Sequence, residues 1–281
     1  MKVGLALRST VFGPSSIAKM IPLLDKSEVD SIWFPSVGPA FDALDMCGIS
    51  LGESRRLRVG TGVITSADYD AAQLLARVHT LSEGSEGRFI LGVGTGSGIG
   101  HAAIERLVEV VTTLRSGYPE RQKPPMFFAA LKKRTLRAAY LNAEGAILNF
   151  CSPSYVQRII SNDVRREGFT LACYIKLFFA EEEAVAKKIL VNEMKIYDSI
   201  PQYHVMFGDA GVSDAIGRLD AASAIPEVLL EISSANPTND EVVRTLAGFR
   251  SAGVDLPILY PYVSGDDQYK AAVVERLGTL V

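Results

Sequence analysis

The residues best placed to do chemistry lie in one stretch, Arg88-Phe89-Ile90-Leu91-Gly92-Val93-Gly94-Thr95-Gly96-Ser97-Gly98, where an apolar run ends in alternating glycines. Phe89, Ile90, Leu91 and Val93 read as a buried strand, and the glycines strip every second Cβ from the point where strand becomes loop. Such a loop lets a ligand approach the backbone. It is not a nucleotide fingerprint: the positions that would complete G-x-G-x-x-G hold Ser97 and Ile99, and no Lys-Ser/Thr follows to make a phosphate loop. A second strand ends the same way, Arg58-Val59-Gly60-Thr61-Gly62-Val63, so two neighbouring strand ends point to one shared pocket. Around them stand the groups able to move a proton. His101 follows the glycine loop and could reach a substrate; the alternative is a solvated histidine in the first turn of an exposed helix. Asp68 and Tyr69, in the loop after the third strand, are candidates to touch a ligand. Cys151 reads as pocket wall or chemistry, and Arg8-Ser9 as an anion contact or a surface pair.

The elements that must position these groups alternate along the chain. Strands are expected at residues 2–7, 31–35, 57–64, 89–94, 126–130, 146–150, 169–179 and 257–260, each read from a continuous apolar run. Helices between them show apolar residues at helical spacing, such as Ile17, Ile21 and Leu24, or Ile104, Leu107, Val108, Val111 and Leu114. Residues 199–225 are irregular, with short helical fragments; Pro226 to Ile232 could be a strand by composition, yet proline suits a first helical turn equally well and the segment is taken as helix. Eight strands alternating with helices imply a parallel sheet covered on its outer face, and a closed (β/α)8 TIM barrel fits the count better than an open doubly wound sheet. No linker or internal repeat divides the chain, so one domain over residues 1–281 is expected, with function at the carboxyl ends of the strands.

Composition narrows the class of partner. Apolar residues make up 48% of the 281 and charged residues 22%, enough to build a large core. Lys and Arg number 29 against 32 Asp and Glu, with no long run of either sign, which argues against nucleic acid or an anionic membrane as partner and for a small molecule. No stretch has the length of a membrane span, and the chain opens on a strand-like segment instead of a signal peptide, so a cytoplasmic protein is expected. Cys47, Cys151 and Cys173 are odd in number and apolar-flanked, reading as core fillers and not as a metal or disulfide set.

Several segments, taken in order, resemble the bacterial-luciferase-like superfamily: Ser31-Ile32-Trp33, Asp42-Ala43-Leu44, Arg58-Val59-Gly60-Thr61-Gly62-Val63, and Leu81-Ser82-Glu83-Gly84 through Gly96. The resemblance resumes at Ala143-Glu144-Gly145-Ala146-Ile147-Leu148 and Ala252-Gly253-Val254-Asp255-Leu256-Pro257-Ile258-Leu259, and so covers most of the chain. It implies a (β/α)8 barrel that uses either the deazaflavin coenzyme F420 for hydride transfer or reduced FMN with oxygen. Carried over by position, Thr61, Gly62 and Val63 would support the cofactor ring, with a non-proline cis peptide at Gly62–Val63. Gly94, Thr95, Gly96 and Ser97 would flank it, and Ala129, Ala130 and Leu131 would meet the ribityl-phosphate side. The stretches around Trp33-Phe34-Pro35-Ser36 and Leu148 to Val156 most resemble the F420-dependent branch, with FMN as the alternative. A homodimer is implied by the resemblance alone.

The chain departs from that pattern at three places. Where many relatives carry Arg-His-Pro after the third strand, this sequence has Tyr69-Asp70-Ala71-Ala72. Ser36 occupies a position near the ring where many F420 enzymes hold a carboxylate. Residues 97–124 leave room for a single helix where relatives insert more, so a barrel with shortened insertions and an open pocket is expected. A non-catalytic flavin-binding barrel is the third reading.

Overall fold

The computed structural model of the chain describes residues 2–36, 41–65, 68–96, 98, 100–118, 123–161 and 165–280. Its strands are β1 (Gly4–Ala6), β2 (Ser31–Phe34), β3 (Arg58–Thr61), β4 (Ile64–Thr65), β5 (Phe89–Gly94), β6 (Met126–Ala129), β7 (Gly145–Asn149), β8 (Thr170–Ala180), β9 (Ser233–Ala235) and β10 (Leu256–Ser264). Eight of them, β1, β2, β3, β5, β6, β7, β8 and β10, pair in parallel in that order, and β10 pairs with both β8 and β1 to close the barrel. The expected (β/α)8 barrel is the observed one. Because strands buried on both faces need no polar side, β5 is buried at all six positions and β8 at ten of eleven.

Helices return the chain between strands, and short polar side chains start several of them. Asp42 caps α2 (Ala43–Glu53) by accepting from the Leu44 amide at 2.7 Å, and Asp70 caps α3 (Ala71–Gly84). Ser152 precedes Pro153 at the start of α6 (Pro153–Ile160), and Thr238 with Glu241 forms a capping box on α11 (Asn239–Ser251). Between β5 and β6 the described residues hold one helix, α4 (Gly100–Ser116), as the short segment requires. The remaining helices that bear on the site are α5 (Lys133–Asn142), α7 (Glu183–Asp198) and α8 (Pro201–Ala210).

Inside the barrel the lower layer is filled by Trp33, which is fully buried. Its indole N–H donates to Ser31 Oγ at 2.9 Å, and its ring lies 5.6 Å from that of Phe127. A Cβ at Gly60 would sit 2.7 Å from Trp33 Cζ3, so the first glycine of the Gly60-Thr61-Gly62 strand end makes room for tryptophan and not for a ligand.

Two expectations are corrected. The third strand does not run unbroken to Ile64: it stops at Thr61, the Gly62–Val63 peptide is cis as the resemblance implied, and Ile64–Thr65 pairs separately with β5. Residues 226–232 are helical only over Glu227–Leu230, and the strand β9 follows them. That strand has a tertiary cause. β7 pairs with β8 only as far as Tyr174, and Phe150 then takes a left-handed turn (φ 57°) away from the sheet. The edge of β8 beyond it is free, and Ser233–Ala235 pairs with Lys176–Phe178.

Candidate active site

The carboxyl ends of the strands surround a cavity of about 1330 Å³, the position where a barrel of this kind carries function. One wall is nearly bare of side chains and is formed by Gly62, Val63, Gly94, Thr95 and Gly96, with Ala129 beside them. Gly62 faces across the barrel: a Cβ there would overlap the Tyr174 hydroxyl outright and lie 2.8 Å from its Cζ. Gly96 adopts φ +59°, a conformation costly for any residue with a Cβ. Thr61 lies behind this wall, fully buried. Its hydroxyl donates to Gly92 O (2.8 Å) and accepts from Gly92 N (2.9 Å), tying β3 to β5 where their direct pairing ends at Gly60 and Ile90.

The opposite wall is aromatic. Tyr174 on β8 and Tyr260 on β10 face inward with rings 5.2 Å apart, Asn149 ends β7, and Tyr197 of α7 and Tyr203 of α8 close the side. The Asn149 amide donates to Tyr203 OH at 2.7 Å, and the Tyr197 and Tyr203 rings meet edge-on at 4.6 Å. The Tyr174 hydroxyl and Asn149 Oδ1 are buried without a hydrogen-bond partner among the described residues, so both can accept a ligand's hydrogen bonds or, for the phenol, donate one. Burial pushes the Tyr174, Tyr203 and Tyr260 phenols above their ordinary value.

Behind this wall lies a charge. Lys176, two residues after Tyr174 on the same inward face of β8 and paired in register with Tyr260, has no exposed side-chain surface. Its ammonium donates to Tyr262 OH at 2.6 Å, Tyr262 donates to Glu193 Oε1 at 2.5 Å, and the Lys176–Glu193 separation is 3.6 Å. The Tyr197 ring centroid is 3.7 Å from the ammonium and that of Phe150 4.3 Å. Burial pulls the Lys176 ammonium below its ordinary value, with Tyr197 and Glu193 opposing. For Tyr197 burial acts upward, but the Lys176 charge, with hydrogen bonding from Lys176 and Asn149, outweighs it and holds this phenol below its ordinary value.

The rim is basic. Lys132, Lys133, Arg134 and Arg158 line it against one carboxylate, Asp209, which lies 3.7 Å from Lys132 and whose carbonyl accepts from Arg158. Lys132 through Thr135 form the entry and first turn of α5, which carries no side-chain cap on its amides. Amides and cations together suit an anion. Gln202 of α8 reaches over the glycine loop, donating to Gly96 O and Gly98 O at 3.3 and 3.4 Å.

Of the residues singled out from sequence, Ser36, Gly62, Val63, Gly94, Thr95, Gly96, Ala129 and Leu131 line this cavity together. Thr61 and Ala130 stand behind it, Ala130 with its amide donating to Ile147 O. Ser97 lies outside the described residues. Neither His101 nor Asp68 lines the cavity. His101 is 74% exposed on the first turn of α4, its Nε2 3.2 Å from Glu105 Oε1 one turn on, the solvated alternative. Asp68 is exposed, and the neighbouring Tyr69 is held by Asp42 instead of a ligand, its hydroxyl donating to Asp42 Oδ2 at 2.9 Å. The aromatic wall and Lys176 escaped the sequence reading. Their signal was a lone lysine inside an eleven-residue buried strand, Thr170-Leu171-Ala172-Cys173-Tyr174-Ile175-Lys176-Leu177-Phe178-Phe179-Ala180.

Comparison with known proteins agrees with this geometry. The family model for luciferase-like monooxygenases matches residues 1–102. Over those residues the chain is similar to luciferase-like monooxygenases. The matched segment runs from β1 through the glycine loop, so it contains Ser36, Gly62, Val63, Gly94, Thr95 and Gly96. No curated protein matches the chain. Among solved structures, an F420-dependent secondary alcohol dehydrogenase in complex with an F420-acetone adduct is similar with a TM-score of 0.72 at 14% identity, over 98% of each chain. The coenzyme F420-dependent tetrahydromethanopterin reductase of Methanopyrus kandleri gives 0.70 at 15% identity, over 99% of this chain and 97% of that one. The oxygenating constituent of 3,6-diketocamphane monooxygenase from Pseudomonas putida, in complex with FMN, gives 0.68 at 16%, over 100% and 98%. At these identities the likeness is one of fold. Among the described residues no helix is long and apolar enough to cross a membrane, and no cluster of His, Cys, Asp and Glu could hold a metal ion.

Proposed function

We propose that the chain is an oxidoreductase that transfers a hydride between coenzyme F420 and a small organic substrate. The observation that carries this reading is the asymmetry of the cavity: a wall of Gly62, Gly94 and Gly96 faces an aromatic wall, below a basic rim. The residues present fit a flat polycyclic cofactor with an anionic tail. Gly62, Gly94 and Gly96 border the cavity, their missing Cβ atoms leaving room for Tyr174, Val63 and Thr65, while the Tyr174 hydroxyl and Asn149 Oδ1 are buried polar atoms in want of a partner among the described residues. Lys132, Lys133, Arg134, Arg158 and the first turn of α5 suit the tail's negative charge. Bound there, coenzyme F420 would supply a hydride at its C5, whereas reduced FMN would supply electrons to oxygen.

In this reading Ser36, Gly62, Val63, Gly94, Thr95 and Gly96 hold the ring, Ala129 and Leu131 meet the ribityl-phosphate side, and Thr61 and Ala130 stand behind them. The chain's own contribution is orientation and exclusion of water in a deep apolar-sided cavity. No proton role is carried to His101 or Asp68, neither of which lines the cavity. FMN is the second reading, favoured by the FMN-bound monooxygenase among the structural neighbours. The homodimer implied by the resemblance remains part of the proposal.

Titrating the protein with each cofactor, followed by absorption and fluorescence, tests the reading, since the two are optically distinct. Saturable F420 binding and substrate-dependent change of its absorbance are the expected result. Oxygen consumption with reduced FMN would transfer the assignment to the second reading, and binding of neither cofactor would overturn both.

A further inference from the structure

We propose that Tyr197 is the proton-transfer group of the cavity, and that the buried ammonium of Lys176 is the positioning residue that stabilises its phenolate. The inference rests on the proposed oxidoreductase function for its use, but not for its geometry. Tyr197 reaches the cavity from α7, and it is the cavity-lining phenol nearest the buried ammonium, whose nitrogen lies 3.7 Å from its ring centroid. Tyr260 also lines the cavity, but its ring is 5.1 Å from that nitrogen.

The ammonium is fixed from several sides. On β10, Tyr262 accepts its hydrogen bond and Tyr260 stands opposite it in register. On α7, Glu193 balances its charge at 3.6 Å; Arg8, after β1, lies 3.6 Å from the same carboxylate oxygen and 5.0 Å from the Tyr262 centroid. The remaining titratable neighbours of Tyr197 are Tyr174 and Tyr203 and, beyond the latter, Cys151, with Asn149 the neutral donor between Tyr197 and Tyr203. A cation held so firmly, with its water removed, acts on a nearby phenol more strongly than an exposed one could.

The step is a simple one. The Tyr197 O–H bond breaks, the proton passes to an oxygen on a ligand in the cavity, and the electron pair stays on the phenolate oxygen beside Lys176. In the opposite direction the phenolate takes a proton from a ligand hydroxyl. This assigns the ligand's class only to that extent: it carries an oxygen that gains or loses a proton as it reacts, a carbonyl or an alcohol. The direction of the Tyr197 shift, below its ordinary value where the other cavity phenols move up, agrees with the geometry.

The test needs no cofactor. The intact protein is titrated with base while tyrosinate absorbance is recorded. Of its ten tyrosines, one is expected to ionise below the ordinary phenol value of about 10. That early step is expected to vanish in Tyr197→Phe, to move upward in Lys176→Met, and to survive in Lys176→Arg. If Lys176→Met does not fold, the wild type and Tyr197→Phe decide alone. An early step missing from the wild type, or retained in Tyr197→Phe, overturns the proposal. With turnover in hand, Tyr197→Phe should lower kcat by at least about tenfold with a smaller change in KM, and remove the limb of the pH profile that coincides with the early step. A limb that persists also overturns it. An intact early step with no turnover from either cofactor overturns the oxidoreductase reading instead, so the two failures are distinguishable.

Discussion

Gly62 offers a test of how the two walls of the cavity are built. A Cβ at this position would overlap the Tyr174 hydroxyl, sit 2.8 Å from Tyr174 Cζ and 3.5 Å from Trp33 Cε3. Neither ring can retreat easily: Tyr174 packs on Tyr260 at 5.2 Å, and Trp33 is fully buried. Overpacking of this kind costs about 1–3 kcal/mol, and an outright overlap belongs at the upper end. Replacing glycine by alanine also restricts the unfolded chain, which returns about 0.4–1 kcal/mol. Gly62→Ala should therefore destabilise by roughly 2 kcal/mol, or about 3–4 °C in melting temperature for a chain of this size. The hydroxyl is the worst offender and has no hydrogen-bond partner among the described residues, so Tyr174→Phe alone should change stability little. In the Tyr174→Phe background the Gly62→Ala penalty should fall by about 1 kcal/mol or more, a coupling that a double-mutant cycle of chemical denaturation curves resolves. Equal penalties in both backgrounds would refute the claim that Tyr174 spans the barrel to the bare wall.

Three further outcomes follow from named contacts. Asp42 accepts from the Leu44 amide, both Arg77 terminal nitrogens and Tyr69, and although burial acts upward these hydrogen bonds hold its carboxyl below the ordinary 3.8. Its stabilisation is complete above that value and is lost as pH falls through the lower, folded value. Asp42→Asn, which keeps the cap but loses the charge on Arg77, should therefore melt roughly 0.5–1 kcal/mol less stably at neutral pH and show a shallower loss below about pH 4, checked by thermal melts across pH. Gly96→Val places a branched side chain at φ +59° and against Thr65, and should cost about 1–3 kcal/mol and abolish saturable cofactor binding, measured by fluorescence titration. Arg134→Glu at the exposed rim should weaken binding of either phosphate-bearing cofactor about 3- to 10-fold at low salt, with the difference shrinking as salt is added; a salt-independent difference would refute the electrostatic account.

The barrel was legible because its strands are buried on both faces and its helices on one, which writes two different periods into the sequence. β9 was not, because Ser233-Ser234-Ala235 has no apolar run and forms only where the β8 edge is left free beyond Tyr174. The glycine-rich ends were found but their duties were not separable: Gly60 serves Trp33 and Gly62 faces Tyr174, two residues apart on one strand. The Asp42-Ala43-Leu44 motif was one of the segments carrying the resemblance, and its aspartate caps α2 and binds Arg77 of α3. Candidate proton carriers sought near the glycine loop were local in sequence. The aromatic wall is assembled from β7, β8, α7, α8 and β10, and no local pattern announces that these five segments converge.

Lys176 is hard to explain as a device for stability. A fully buried ammonium carries a desolvation cost of several kcal/mol, and its partner Glu193 is 3.6 Å away and itself 12% exposed, so the pair repays that cost incompletely. Apolar residues of similar length often replace such pairs with neutral or favourable effect. A packing role would be served as well by methionine among Phe150, Tyr197, Tyr260 and Tyr262. What methionine cannot supply is a fixed positive charge behind a cavity-lining phenol. Because removing one partner alone strands the other's charge, the double change Lys176→Met/Glu193→Gln, which removes both, is expected to leave the melting temperature close to that of the wild type while altering the ionisation of Tyr197. That separation of stability from titration is what a chemical role for the lysine requires, and a large loss of stability with the tyrosine titration unchanged would return Lys176 to the core.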